Sequence, residues 1–442
     1  MTSAPLKETP LKETLQEKET AAAGNHAAGL PRLLPLVPGV PEDVRTHLAR
    51  YGYLPYRGGP GLLTGSVEQA GLTGRGGAAF PVHRKMAIVA RARGRKVIVA
   101  NGAESEPASH KDALLLRAAP NLVLDGLQLA AEAVGASEAF LYVHAGVSHE
   151  IMRALAQRYA AGLDWLQVTV FEAPARFLAG QESALVNRLG GGPAVPTFVP
   201  PRVTERGLGG APTLVQNVET LAHLALIARY GPRWFRALGT EKEPGSMLTT
   251  VHQADGTSQV IETAIGTPLR TLISQQPEPQ AVLIGGFHGS WLPASQAAEL
   301  TLDNATLNKR GAAVGAGVIA ALPADRCGLA EAARVARYLA VESAGQCGPC
   351  LNGLPRMAAG LAELAGRGHR RQVRADLERW AGLVTGRGAC NHPDGTARFV
   401  RSALTVFAPE ISLHARGHCS ATNRRPFLPL PDGMPTTEDD WI

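Results

Sequence analysis

The sequence is short of aromatic side chains, of cysteines and of long apolar runs, and each shortage removes a class of function. Phe, Trp and Tyr make up 5% of residues, and the mostly arginine excess behind the formal charge of +6 is scattered along the chain. A nucleic-acid surface would gather that charge into one stripe with aromatics between, so nucleic acid is not an expected partner. No uninterrupted apolar run reaches the length of a membrane helix, and none near the N-terminus resembles a signal peptide. The expectation is a cytoplasmic protein with no direct membrane insertion. The five cysteines, Cys327, Cys347, Cys350, Cys390 and Cys419, are odd in number and follow no regular framework. That favours reduced thiols or metal ligands over disulfides.

What is present points to several packed units. With 45% hydrophobic and 19% charged residues the composition is that of an ordinary globular chain, and the length suits about two to four units. Residues 1–30 contain a tandem PLKET repeat and few apolar side chains, and are expected to form a flexible tail. Between 31 and 240, strand-like segments at 96–100, 139–144 and 166–173 alternate with helical periodicity at 121–134 and 149–160. That alternation predicts an α/β domain with a largely parallel sheet. Residues 241–325 change rhythm, with a hairpin turning at Asp255-Gly256, a short helix from Leu269 and a strand at 281–286. Over 326–410 the pattern is helical. Leu329, Ala333, Ala336 and Ala340 fall on one face that Ala344 and Cys347 continue, and a later helix carries Val373, Leu377, Trp380 and Val384, which together predict a small bundle. Residues 411–442 read as a Pro-rich extension over the surface or disordered.

Several short motifs could carry chemistry. GLTGRGGAAFPVHRK (71–85) has four glycines within seven residues, so backbone N–H groups can converge on an anion; a plain surface turn is the alternative. NGAESEP (101–107) follows a predicted strand directly, the place where parallel sheets bind ligands. Asn101 can donate and accept at the edge of a flavin or nicotinamide, while Glu104 and Glu106 can accept from ribose hydroxyls. A solvated acidic turn would look the same. Gln181-Glu182 and Asn217-Glu219 each set an acid and an amide where a helix begins, and either pair could simply cap it. Cys347 and Cys350 at C-x-x-C spacing, with Cys390 as a distant third thiol, suit an iron–sulfur cluster with one open position. Zinc with His392, or two thiols without metal, are the alternatives, and Cys327 and Cys419 are read as bystanders.

The order of these motifs is more specific than any one of them. GRGGAAFP, NGAESEP with Lys111-Asp112, AGQESAL, GLGGAPT with NVET, and ESAGQCGPC followed by CNHPDG resemble the flavoprotein subunit of respiratory complex I over roughly residues 45–415. The resemblance implies a multidomain α/β protein. Its parts would be an FMN-binding α/β domain, a β-grasp-like soluble-ligand-binding domain and a C-terminal helical iron–sulfur bundle. It further implies a hydride passing from NADH to FMN and single electrons leaving through an iron–sulfur cluster. By position, Gly74, Arg75, Gly76, Gly77 and Lys85 would hold the flavin, completed by Asn101 and Asn217. Phe80, Glu106 and Glu182 would meet the nicotinamide nucleotide, and Glu104 and Gly180 are also counted in the cofactor site. Cys347, Cys350 and Cys390 would hold a [3Fe–4S] or incomplete [4Fe–4S] cluster. The implied partner is a ferredoxin-like or thioredoxin-like iron–sulfur protein, or a membrane redox protein, which would hold the chain peripherally on the inner face of a membrane.

Departures from the family pattern describe a divergent paralogue. Ala103 stands for the family's Asp, Gln181 for a Glu, Phe177 for a Tyr and Gln216 for an Asn. Val199 replaces a Lys, Arg202 a Phe that stacks on adenine, and Leu351 an Arg. Ala344 occupies the first cluster-ligand position. The alternative function is therefore a non-catalytic scaffold or electron-relay subunit that has lost NADH turnover.

Overall fold

A computed structural model describes residues 29–56, 59, 61–274, 276–431 and 441–442. The tail expected over 1–30 lies almost wholly outside the described residues, as do 432–440 of the C-terminal extension. Three helices, α1 (Val44–Tyr51), α2 (Leu62–Ala70) and α3 (Val82–Arg91), precede the first sheet. That sheet is built from β1 (Val97–Gly102), β2 (Glu138–His144), β3 (Val168–Ala173) and β4 (Thr213–Asn217) in the order β3-β2-β1-β4, all parallel. The crossovers carry α4 (Lys111–Ala118), α5 (Pro120–Val134), α6 (Ala145–Ala160) and α7 (Glu182–Leu189), and α8 (Val218–Arg236) follows β4. The alternation read from sequence is thus a parallel α/β layer with helices packed on it.

α5 is buried along nearly its whole length, including Asp125. Arg158 (2.8 Å), His47 (2.7 Å) and Arg229 surround that carboxylate. Burial opposes its ionisation, but His47 and the two guanidiniums outweigh it and hold Asp125 well below the usual carboxylate range.

The second sheet has the order β6-β5-β9-β7-β8, from β5 (Ser246–His252), β6 (Ser258–Ala264), β7 (Pro279–Ile284), β8 (Ser290–Pro293) and β9 (Val318–Pro323). β5 and β6 form the expected hairpin, and β5 pairs with β9 in parallel. Side chains alternate across this sheet. Ala281, Leu283, Ala320 and Leu322 face the C-terminal helices, while Val282, Ile284, Ile319 and Ala321 build a separate core on the other side.

The C-terminal region comprises α9 (Gly328–Val341), α10 (Leu354–Ala365), α11 (Val373–Val384), α12 (His392–Val406) and α13 (Ala408–Ala415). The helical face expected to run through Ala344 and Cys347 stops at Val341. Gly345 at φ +63, Gly348 and Pro349 break it, and Cys350 sits on a separate turn, Pro349–Gly353. No helix among the described residues is long and apolar enough to cross a membrane.

Candidate cofactor cleft and thiol cluster

Asn101 and Asn217 are direct neighbours across the parallel pair β1/β4. β1 has β2 on one side and β4 on the other, so the winding reverses here, and the crevice beyond these strand ends is the place where such sheets bind ligands. The Asn101 amide donates to Gly180 O at 2.8 Å, and its Oδ1 accepts from the Ala103 N–H at 3.2 Å. Asn217 caps α8 through Glu219 N (2.9 Å) and donates to Asp112 Oδ2 at 2.7 Å. Both side chains shape the crevice floor.

The glycine loop closes over this crevice. Gly74 N donates to Phe80 O at 2.9 Å, and Arg75 N donates to Thr220 Oγ1 at 2.9 Å. The Arg75 guanidinium is buried and turned towards Thr73 Oγ1 and the carbonyls of Pro244 and Ser246, which fastens the loop to the second sheet. Gly76 approaches Asn217 so closely that a Cβ would lie 3.3 Å from the asparagine's own Cβ. Gly180 is tighter, since a Cβ there would meet Ala103 O at 2.6 Å and Ser105 Oγ at 2.8 Å. Gln181 caps α7 by accepting from Ser183 N (2.8 Å) and Ala184 N (2.9 Å).

The result is a cleft of about 590 Å³ walled by all three regions of the chain. Of the residues singled out from sequence, Arg75, Gly76, Gly77, Asn101, Glu104, Glu106, Gly180 and Asn217 line it. Gly74, Phe80, Lys85 and Glu182 do not; Lys85 Nζ instead pairs with Glu182 Oε1 at 2.9 Å, joining α3 to α7. Glu104 is occupied by Ser109 Oγ (2.5 Å) and by the N–H groups of Asp112 and Ala113 at the start of α4. Glu106 accepts from Phe287 N (2.8 Å) and Ala108 N (3.2 Å), and burial pushes its carboxyl up to about 7.

Sequence reasoning assigned no role to the ionic group under the cleft. Lys111 Nζ reaches Asp112 Oδ1 at 2.6 Å and Glu219 Oε2 at 2.9 Å, all three buried. One ammonium cannot neutralise two carboxylates. Burial opposes ionisation at both, yet Lys111 and His223 hold Glu219 down to about 2, while Asp112 rises to about 7. The adjacent Lys-Asp of the motif was the available signal.

On the far wall the bundle contributes Cys390, Asn391 and His392. His392 Nε2 lies 2.8 Å from Leu339 O, so it carries the proton, and Nδ1 then accepts from His288 Nε2 at 2.9 Å. With both ring nitrogens engaged, His392 has no lone pair for a metal, which removes the zinc arrangement in which it joins the cysteines. Cys350 is buried and hydrogen-bonded to Cys347 and Ser343. Burial and the neighbouring thiols push it up to about 12, and Cys390 is raised for the same reasons. Cys347 and Cys390 both act on the Cys350 thiol, and sulfurs placed where bare thiolates are disfavoured fit an iron–sulfur centre, whose inorganic core is positively charged. Ala344, which the sequence resemblance sets at a fourth ligand position, packs against the apolar group of Leu178, Ala179, Ala194 and Trp441.

Two family models match in the same places. Residues 67–226 match the Nuo51 FMN-binding domain, and residues 330–414 match the NADH-ubiquinone oxidoreductase-F iron–sulfur binding region. The NADH-quinone oxidoreductase F-subunit of Streptomyces coelicolor is 30% identical over 389 residues, covering 81% of this chain and 84% of its own length. The chain belongs to the NADH-quinone oxidoreductase F-subunit family. The F-subunit numbered 2 in Rhizobium meliloti is 29% identical over 377 residues, covering 80% of this chain and 89% of its own. Among solved structures, a chain of an NAD+-reducing [NiFe]-hydrogenase in the H2-reduced state superposes on this family member with a TM-score of 0.72 at 26% identity over 80% of its residues. The air-oxidised form gives 0.73 at 27% over 86%. The chain spans 62% and 65% of those hydrogenase chains.

Proposed function

We propose that this protein takes a hydride from NADH onto FMN held in the cleft and passes single electrons through an iron–sulfur centre at Cys347, Cys350 and Cys390 to a protein partner. The observation that carries the reading is the shared wall. Cys390 lines the same cleft as Gly76, Asn101 and Asn217, while Cys347 and Cys350 lie outside its lining, so the thiol group borders the space that would hold the flavin. Its volume of about 590 Å³ is in the range of cofactor pockets.

When bound, FMN supplies the conversion between a two-electron donor and one-electron acceptors. The chain's own residues bind and orient. Bare backbone at Gly76 and Gly180 lets the walls of the cleft pack closely on Asn217 and Ala103, and Asn101 and Asn217 fix those walls. Glu106, raised to about 7, holds a proton at its carboxyl near neutral pH. The Glu182 carboxylate is taken up by Lys85 and does not line the cleft, so the choice of NADH over NADPH is not assigned to it. The five-stranded sheet is read as the β-grasp-like soluble-ligand-binding domain. The partner is read as a ferredoxin-like or thioredoxin-like iron–sulfur protein of a membrane-associated assembly.

The test is rapid mixing of the FMN-loaded protein with NADH under anaerobic conditions. Bleaching of the flavin band within seconds is expected. Flavin that binds but is not bleached would turn the reading to a non-catalytic relay subunit.

A further inference from the structure

Cys327 and Cys419, which spacing alone leaves without a role, converge with two residues of the last helix. Glu410 and His414 lie one turn apart on α13 and present the same face. Cys327 caps the start of α9, and Cys419 follows the turn at Gly417 (φ +83) that brings the chain back. One ligand atom from each of the four residues lies within 4.8 Å of all the others. Cys327 Sγ is 3.7 Å from His414 Nε2, and Nε2 is 3.0 Å from Glu410 Oε1. Bond lengths of zinc to sulfur, nitrogen and oxygen imply tetrahedral edges of about 3.6 Å for S···N and about 3.3 Å for N···O. Both observed edges fall close to those values.

The surroundings are those of a ligand set. His414 Nδ1 is 3.0 Å from Leu364 O, so Nδ1 carries the proton and Nε2 points its lone pair at Cys327 and Glu410. Glu410 is in turn oriented by Ser420, through N–H (2.9 Å) and Oγ (2.5 Å). The group opens on a cavity of about 420 Å³ lined by Arg326, Arg367, Arg424 and Arg425, which gives a path for an ion. Those guanidiniums offset the one negative charge left when two thiolates and a carboxylate bind a dication.

We infer that Cys327, Glu410, His414 and Cys419 form a structural site for one zinc ion, separate from the iron–sulfur cysteines. The ion would join the first helix of the bundle to the last. It would also hold down the segment after Cys419, whose Phe427 and Leu428 amides donate to Glu331 on α9 at 3.1 and 3.0 Å.

The experiment uses the full-length chain carrying Cys347→Ser, Cys350→Ser and Cys390→Ser, so that the iron–sulfur thiols do not take up the probe. Metal content is measured after washing with a weak chelator, and the ion is then exchanged for cobalt(II). About one zinc per chain is expected, with thiolate charge-transfer and tetrahedral d–d bands in the cobalt form. Adding Cys419→Ser should lower retained zinc at least about tenfold while FMN binding, which reports folding, is kept. The wild-type chain, assayed for zinc beside iron, gives the same reading if the triple variant folds poorly. Zinc absent from both, or unchanged by Cys419→Ser, would overturn the site. So would Cys327 and Cys419 that resist alkylation under denaturing conditions with chelator, since that means a disulfide.

Discussion

Glu342 Oε2 accepts from Arg176 Nε at 3.0 Å, and it also accepts from the Phe177 N–H at 2.8 Å. Arg176 belongs to the α/β domain, and Glu342 stands two residues before Ala344 at the end of α9. The pair therefore clamps the thiol-bearing loop against the cleft, with side chains only 6% and 2% exposed. Glu342→Ala should destabilise the fold, since a buried guanidinium loses this carboxylate and the Phe177 N–H loses its acceptor. A lower urea midpoint would register that loss, and Glu342→Gln, which keeps an acceptor, should lose less.

The thiol count can be restored. Ala344→Cys adds one small atom to a loosely apolar neighbourhood and places sulfur at the missing position. Iron per chain after anaerobic reconstitution should rise by about a third, as a three-iron centre becomes a four-iron one. Unchanged iron and sulfide would mean that this position does not face the cluster.

Close backbone approach at Gly180 makes a second sharp prediction. Gly180→Ala puts a methyl within 2.6 Å of Ala103 O, so the cleft wall must move. FMN affinity should fall at least about tenfold, which corresponds to about 1.4 kcal/mol. Fluorescence titration of the apoprotein measures it, and thermal unfolding of the same sample separates local from global damage.

Glu106 ties stability to pH. Its folded-state carboxyl is raised from 4.5 to about 7, so its contribution is fully present below pH 4.5 and is lost as pH rises through about 7. Glu106→Gln cannot ionise, and should flatten this part of the pH dependence. Melting temperatures of both proteins from pH 4.5 to 8 would show the wild type losing ground relative to the variant. Parallel curves would mean that the carboxyl is not perturbed.

Much of this was readable in the residues because local physics and fold agreed. Alternation at 96–100, 121–134 and 139–144 reports a parallel layer, and each predicted element is present within a few residues. The glycine loop and the two asparagines were legible because motif order placed them at strand ends. What was not legible lies in contacts between distant segments. The turning of Arg75 towards Pro244 and Ser246, the His288–His392 bond and the convergence of Cys327 on His414 each join residues 87 to 171 positions apart. No periodicity carries such information. The helix expected to reach Cys347 failed for a local reason, because Gly345, Gly348 and Pro349 outweigh the apolar face.

The five-stranded sheet and the bundle do not own separate interiors. Ala281, Leu283, Phe287 and Trp291 share one apolar core with Leu329, Leu361, Phe399 and Phe407. Gly395 on α12 seats against the His288 ring so tightly that any Cβ would fall 2.4 Å from it. Residues from about 246 to 415 should therefore open as one cooperative body rather than as two, and native-state hydrogen exchange would find a common opening free energy across the boundary near residue 326.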